Sequence, residues 1–386
     1  MEFTTNLSEL RKTLAEVSNI PKKDSVPVAF CALHFSVKKG FLLVTAANSS
    51  LSITTKLKLT SPAWTEGTAL LLPDAFLSFL NQLGDSNNLI TVSTINSSDS
   101  SASSDSSDSS DRNANQQLTI SSPHLQPYSF RLLNTTFPLV SLDSIDRTGL
   151  TPTRISLLTK AWSKIKHAAD SVVQVRSDQN SLQLLTTDRY RVARVTLPNS
   201  GFGEFVGLLN VDSIEQLCCH AISHVSTKTV NQLVVRGPSV LISINLVLEP
   251  FPDLLSIVDN PPLNKISVDR DTLVKALARL KIVANHAPTA LTIRDSTLYL
   301  VSDHTILGSG SEQIGITYPT SALPTPTLEC LINANYLLEA VSGHPTGKLN
   351  LSWSSPLDPI FLDSTSSLVL TTILMPISIG RPSSSV

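Results

Sequence analysis

Two cysteines and two histidines crowd into the stretch CCHAISH, at Cys218, Cys219, His220 and His224. Thiolates and imidazoles are the ligands of structural zinc, which needs four of them converging from two chain elements. On one helix Cys218, Cys219 and His220 point in three directions, and only His220 and His224 share a face. Helix core and helix surface account for these residues better than a metal centre does. Ser302-Asp303-His304 has the residue types of a nucleophilic triad, but a triad is a geometry and adjacency in sequence does not supply it. The chain has only 14 glycines and no glycine-rich loop to cradle a phosphate. The expectation is a protein that is not an enzyme and uses no metal and no cofactor.

The elements that would position any site come next. At 386 residues the chain is too long for one compact core and fits two or three domains. Its 41% hydrophobic and 16% charged residues are those of a globular protein, and with 5% aromatics the core must be built from Leu, Ile, Val and Ala. A formal charge of −2 excludes a uniformly basic coat but not local basic patches. MEFTTNLSELRKTL has no apolar core of an export signal, no apolar run is long enough to span a bilayer, and the four cysteines have no framework spacing. These features predict a cytoplasmic protein.

Low complexity marks one segment. Residues 96–116, NSSDSSASSDSSDSSDRNANQ, are too polar to offset the entropy of ordering, and the alternating flanks LITVST and QLTISS read as strands. The spacing predicts a hairpin with a long disordered tip. Two linker-like stretches, DRTGLTPT (146–153) and DNPPLNK (259–265), cut the chain into thirds: 1–148, 149–262 and 263–386.

The thirds repeat one another. FTTNLSELRKTLAEV, RISLLTKAWSKIKHAA and ISVDRDTLVKALARL each read as a strand feeding an amphipathic helix, with Leu10, Leu14 and Val17, Ala161 and Ile165, and Leu273, Leu277 and Leu280 on the buried faces. A second helix recurs in LLLPDAFLSFLNQL, GLLNVDSIEQLCCHA and CLINANYLLEAVSGH. There Leu77, Ile214 and Leu337 are equivalent, as are Leu80, Leu217 and Ala340. Asp212 or Ser213, and Asn333 or Asn335, are the candidate N-caps. Alternating stretches such as SLQLLTT and TALTIRDSTLYLVS supply antiparallel strands, and FPLVSL and FPDLLSI close two of the thirds alike. The fold class is α+β, with three tandem copies of one module.

Several phrases carry a family resemblance in their order and spacing. TTDRYRVA (186–193), EPFPDLLSIV (249–258), NANYLLEAV (333–341) and PLDPIFL with LMPISI resemble those of the bacterial sliding clamp, the DNA polymerase III beta subunit family. The resemblance covers the chain apart from the Ser/Asp segment. It implies the DNA-clamp fold, each copy having two helices packed on antiparallel sheets. It further implies a crescent that pairs head to tail into a homodimeric ring around duplex DNA, with helices lining the hole. A ring holds DNA by topology and needs cations near phosphates, not base readers. Candidate DNA-facing residues are Arg11, Lys12, Lys22, Lys23, Lys160, Lys164, Lys166, His167, Lys275 and Arg279. Lys160 with Lys164, and Lys275 with Arg279, are four apart on equivalent helices.

The family also implies a pocket for short linear peptides of the polymerase catalytic subunit, the clamp loader and repair proteins. Carried over position by position, its walls are Thr187, Arg189, Tyr190, Arg191 and Val192, then Pro252 and Ile257. Asn333 and Tyr336 follow from the last helix, and Ile373, Met375, Pro376 and Ile377 from the terminal strand. Met, Ile and Pro suit a groove that repacks around different peptides. The chain departs from the family where Arg189 replaces a usual glycine, Tyr190 a common histidine, and Ser256 and Ser378 frequent arginines. A bulky cation at 189 either narrows the groove or offers a partner to an acidic peptide. The function implied is a non-catalytic processivity clamp of the replicative polymerase, acting in the cytoplasm at the nucleoid. The alternatives are a diverged clamp paralogue with altered peptide partners and a β-rich adhesin-like protein, the latter suggested by the Ser/Thr content.

Overall fold

The computed structural model describes residues 1–21, 27–84, 89–96, 116–123, 125–138, 151–152, 155–198, 203–226, 231–284, 287–318, 327–364 and 369–377. The first third runs β1 (Glu2–Asn6), α1 (Leu7–Ala15), β2 (Leu33–Lys38), β3 (Phe41–Ala47), β4 (Leu51–Lys58) and β5 (Gly67–Leu71). It continues through α2 (Pro73–Gln82), β6 (Leu89–Asn96), β7 (Gln116–Ser122) and β8 (Leu125–Arg131). The second runs β9 (Thr151–Pro152), α3 (Ile155–Ile165), β10 (Val172–Ser177), β11 (Ser181–Thr187), β12 (Arg191–Pro198) and β13 (Phe205–Asn210). Then come α4 (Val211–Cys219), β14 (His224–Ser226), β15 (Gln232–Arg236) and β16 (Val240–Asn245), and a one-turn α5 (Leu255–Val258). The third runs β17 (Asn264–Asp269), α6 (Arg270–Ala284), β18 (Pro288–Arg294), β19 (Thr297–His304), β20 (Gly308–Thr317) and β21 (Leu328–Asn333). It ends with α7 (Ala334–Gly343), β22 (Lys348–Trp353), β23 (Ile360–Ser364) and β24 (Val369–Leu374). Strand, helix, four strands, helix, three strands therefore occurs three times.

Local chemistry starts the helices. The Asn6 side chain accepts from the Ser8 amide at 2.9 Å to cap α1, and Asp269 accepts from the amide and hydroxyl of Thr272 at 2.8 and 2.6 Å ahead of α6. Asn333 caps α7 through the amides of Asn335 and Tyr336. On α4 the expected caps fall inside the helix, which begins at Val211, and Ser213 is buried. Leu10, Leu14, Val17, Leu273, Leu277 and Leu280 are all buried, as are Ala161 and Ile165. In α2 Phe76 takes the core place while Leu77 is half-buried, because Phe76 reaches the rings of Phe35 and Phe130 edge-on at 5.7 and 5.3 Å.

Packing divides the chain into two compact units, Met1–Pro152 with Cys219–Leu246, and Thr153–Cys218 with Val247–Val386. The middle third contributes to both, because each of its two groups of strands extends a neighbour's sheet. In the first unit β4 pairs with β16, giving an eight-stranded sheet in the order β5-β2-β3-β4-β16-β15-β14-β9 beside the four-stranded β1-β6-β7-β8. In the second unit β12 pairs with β24, giving a twelve-stranded sheet in the order β13-β10-β11-β12-β24-β23-β22-β17-β20-β19-β18-β21. The expected boundary at 148 lies outside the described residues. Among the described residues no helix is long and apolar enough to cross a membrane.

The Ser/Asp tract 97–115 also lies outside the described residues, but its flanks β6 and β7 pair antiparallel up to Asn96 opposite Gln116. On the sequence reading of 97–115 as a disordered tip, replacing it by a four-residue turn should preserve the fold and raise stability by about 1 kcal/mol, since each halving of such a loop recovers roughly 0.6 kcal/mol of closure entropy. Chemical denaturation checks this, and a lowered midpoint would mean that the tract makes interactions the fold needs.

Candidate functional site

TTDRYRV forms the tight connection between β11 and β12. Asp188 closes it, its Oδ1 accepting from the amides of Tyr190 and Arg191 at 3.1 and 3.0 Å. Thr187 Oγ1 accepts from the Arg189 amide at 3.1 Å and donates to the Arg191 carbonyl at 2.8 Å. The turn places Arg189 at φ +75°, in the left-handed region where a side chain is strained. That geometry is the physical reason a glycine suits the position. The next residue, Tyr190, stands 61% exposed.

Arg191 turns inward. Its Nε donates to Asp188 Oδ2 at 2.8 Å, its Nη1 donates to Glu339 Oε2 of α7 at 2.5 Å, and its guanidinium lies over the Tyr336 ring at 4.2 Å. One buried cation thus joins the β11–β12 turn to the helix that Asn333 caps. The Tyr336 and Tyr190 rings approach to 6.1 Å. Asp188 and Glu339 carry this arrangement, and neither was singled out in the sequence; for Glu339 nothing local marks a partner 148 residues away.

The terminal strand completes the surface. Val192 pairs with Ile373, and the chain continues past β24 so that the Met375 amide donates to the Tyr190 carbonyl at 2.9 Å and the Ile377 amide to the Leu331 carbonyl at 2.7 Å. Ile373 is core, clustered with Leu185, Leu254, Val258 and Phe361, while Val192 packs on that cluster half-buried. Pro252 and Ile257 are exposed on the segment whose Leu254 and Val258 enter it. Met375 is exposed, and Pro376 and Ile377 are half-buried. Tyr190, Arg191 and Tyr336 therefore meet through their side chains, and Met375 is tied to Tyr190 by its backbone, whereas Ile373 belongs to the buried cluster. Ser256 donates to the Asp253 carbonyl at 3.1 Å, and Ser378 lies outside the described residues.

The basic residues of the helices differ in their surroundings. Lys12, Lys160, Lys166 and Lys275 are exposed, and Lys164 is half-buried. Arg11 is committed to the end of α2, its Nε donating to the Leu80 carbonyl at 3.0 Å. Arg279 is exposed but held by Glu312 in a two-pronged pair at 2.6 Å on each side, which lowers the Glu312 pKa. His167, grouped with the lysines on sequence, turns inward. Burial, with the Arg191 charge, pushes its pKa down to about 4, so it is neutral at pH 7 and adds no charge there. Lys22 and Lys23 lie outside the described residues.

The other groups weighed for chemistry are dispersed. Cys218 and Cys219 end α4 while His224 is on β14, and among the described residues no three His, Cys, Asp or Glu side chains converge on a metal position. Ser302 is buried against Thr289 at 2.6 Å, and His304 accepts from the Ile306 and Leu307 amides of a turn. A cavity of about 680 Å³ lies on the β10–β13 sheet, lined by Arg176, Arg194, Phe205 and Leu255 among others, and none of the residues named from sequence lines it.

No curated protein sequence matches this chain. Residues 260–378 match the family model described as DNA polymerase III beta subunit, C-terminal domain. Among solved structures the chain is similar to the DNA polymerase III subunit beta of Pseudomonas aeruginosa, with TM-score 0.81 and 15% identity over 98% of this chain and 100% of that one. It is also similar to a DnaN sliding clamp of Bartonella birtlesii bound to griselimycin, with TM-score 0.78 and 18% identity over the same shares. The beta subunit of Thermotoga maritima gives TM-score 0.77 and 17% identity, again over 98% and 100%. The chain has the fold of the bacterial sliding clamps, and over residues 260–378 its sequence also matches the DNA polymerase III beta subunit, C-terminal domain.

Proposed function

We propose that the protein is a processivity clamp, a homodimeric ring that encircles duplex DNA and tethers the replicative polymerase at the nucleoid. The observation that carries this reading is the likeness of 98% of the chain to sliding clamps, in a chain whose last third also matches the family by sequence. The activity is non-catalytic: the ring holds by topology, and exposed lysines soften its passage along phosphates without gripping bases. The surface of Tyr190, Arg191, Tyr336 and Met375 receives short peptides from the polymerase catalytic subunit, the clamp loader and repair proteins. Its exposed apolar groups suit anchors that repack.

The test is loading onto nicked circular DNA followed by linearisation. A ring slides off the cut ends, and a protein that stays bound is not one. The lysines give a second measurement. Replacing Lys160, Lys166 and Lys275 by Ala should weaken direct binding of the unloaded protein to linear duplex at low salt. It should also reduce the slope of the log binding constant against log salt by about 0.9 for each phosphate no longer neutralised. An unchanged slope would place these helices away from DNA. Arg279→Ala should have a smaller effect than Lys275→Ala, because Glu312 already neutralises it.

A further inference from the structure

Arg189 is held where a glycine would sit without strain, and strained non-glycine residues concentrate at ligand-binding positions. Its side chain is 86% exposed, so it does not fill the groove beside it. Of the two consequences of a bulky cation at this position, narrowing is thereby removed and charge remains. Among the described residues Arg189 makes one ion pair, with Asp170, at 4.0 Å between the charged atoms and with 60% of that side chain exposed. Such a solvated, distant pair is weak and is easily exchanged for another carboxylate. The charges on the inner side are committed: Asp188 and Glu339 are both taken by Arg191. Arg189 is followed by Tyr190, whose exposed ring lies 6.1 Å from that of Tyr336 and whose carbonyl accepts from the amide of the exposed Met375.

We propose that Arg189 is a specificity-determining residue that selects an acidic side chain in the linear peptide docking on Tyr190, Tyr336 and Met375, with Asp170 as the internal competitor that the peptide carboxylate displaces. This rests on the docking surface put forward above. It assigns the partner a chemistry, an apolar anchor flanked by aspartate or glutamate.

Two fluorescein-labelled peptides from the clamp-binding segment of a replicative polymerase, identical except for glutamate or glutamine beside the apolar anchor, test it by fluorescence polarisation on the full chain. The wild type should prefer the glutamate peptide about threefold at low ionic strength and lose the preference as salt is added. Arg189→Gly suits the left-handed turn, so the fold is retained; it should bind both peptides equally. Arg189→Glu should invert the preference, and Asp170→Asn, which removes the competitor, should enlarge it. Equal binding of both peptides by the wild type, or a glutamate preference that persists in Arg189→Gly, overturns the assignment to Arg189 while leaving the docking surface standing. If neither peptide binds the wild type, the docking surface itself is wrong and the assignment falls with it.

Discussion

Arg191→Ala should destabilise the unit formed by residues 153–218 and 247–386 by about 3 kcal/mol, the usual scale for removing one partner of a buried ion pair. The side chain is 8% exposed and ties two carboxylates to one guanidinium, at 2.8 Å from Asp188 and 2.5 Å from Glu339. Its removal strands Asp188, whose side chain is 18% exposed and whose other oxygen is committed to the turn amides. It also uncovers the Tyr336 face on which the cation lies. Arg191→Lys should recover little, because an ammonium cannot span both carboxylates and stack on the ring. Combining Arg191→Ala with Glu339→Gln should cost less than the sum of the single changes by about 1 kcal/mol, the signature of a direct pair. Urea denaturation measures each variant, and a loss below about 1 kcal/mol for Arg191→Ala would contradict the assignment of this ion pair as the link between turn and α7.

Acid should destabilise the protein before its carboxylates titrate. Burial pushes the imidazoles of His34, His167 and His344 down to about 4 from an ordinary 6.5. His34 stacks on Phe137 at 5.3 Å and is further disfavoured as a cation by Lys38. His344 is bonded through Nδ1 to the Ser364 hydroxyl at 3.0 Å and faces Thr372. Asp363 raises its pKa, while His167, Arg270 and Lys164 lower it. Because each folded-state value lies below the unfolded one, the unfolded chain takes up protons first. Stability is complete above about pH 6.5 and drains as pH falls toward 4, by about 2 kcal/mol for each histidine at pH 5. His34→Phe separates this from general acid effects. Nδ1 of His34 has no hydrogen-bond partner among the described residues, so phenylalanine should be tolerated at pH 8 and should remove about 2 kcal/mol of the loss at pH 5. Equal midpoints at pH 8 and 5 in the wild type would rule out the linkage.

What was legible in the sequence was periodic or local. Leu10, Leu14 and Val17, and later Leu273, Leu277 and Leu280, are buried because a 3.6-residue repeat puts them on one face whatever that face meets. Asn333 caps α7 because its amide oxygen is bonded to amides two and three residues on. The strain at Arg189 was not read from the sequence, where the residue was weighed only as a bulky cation; it follows from the φ of +75° in the turn. Leu77 gave way to Phe76 because aromatic partners on β2 and β8 chose between adjacent positions of one helix. The same limit hid His167, which follows three lysine-bearing positions in sequence yet turns inward under α7. Gly343 there lets the backbones close, a Cβ at that position falling 2.7 Å from the Lys164 carbonyl.

By itself the sequence determined the threefold succession of elements and most of their buried faces, since each depends on interactions spanning a few residues. Tertiary structure alone decided which strands of the middle third extend which sheet and that Arg191 would join Asp188 to Glu339. It also decided which cations stay exposed to solvent. Those outcomes depend on register and burial between segments far apart in the chain, where the energy of a pairing is set by the partner that folding supplies rather than by neighbours in sequence.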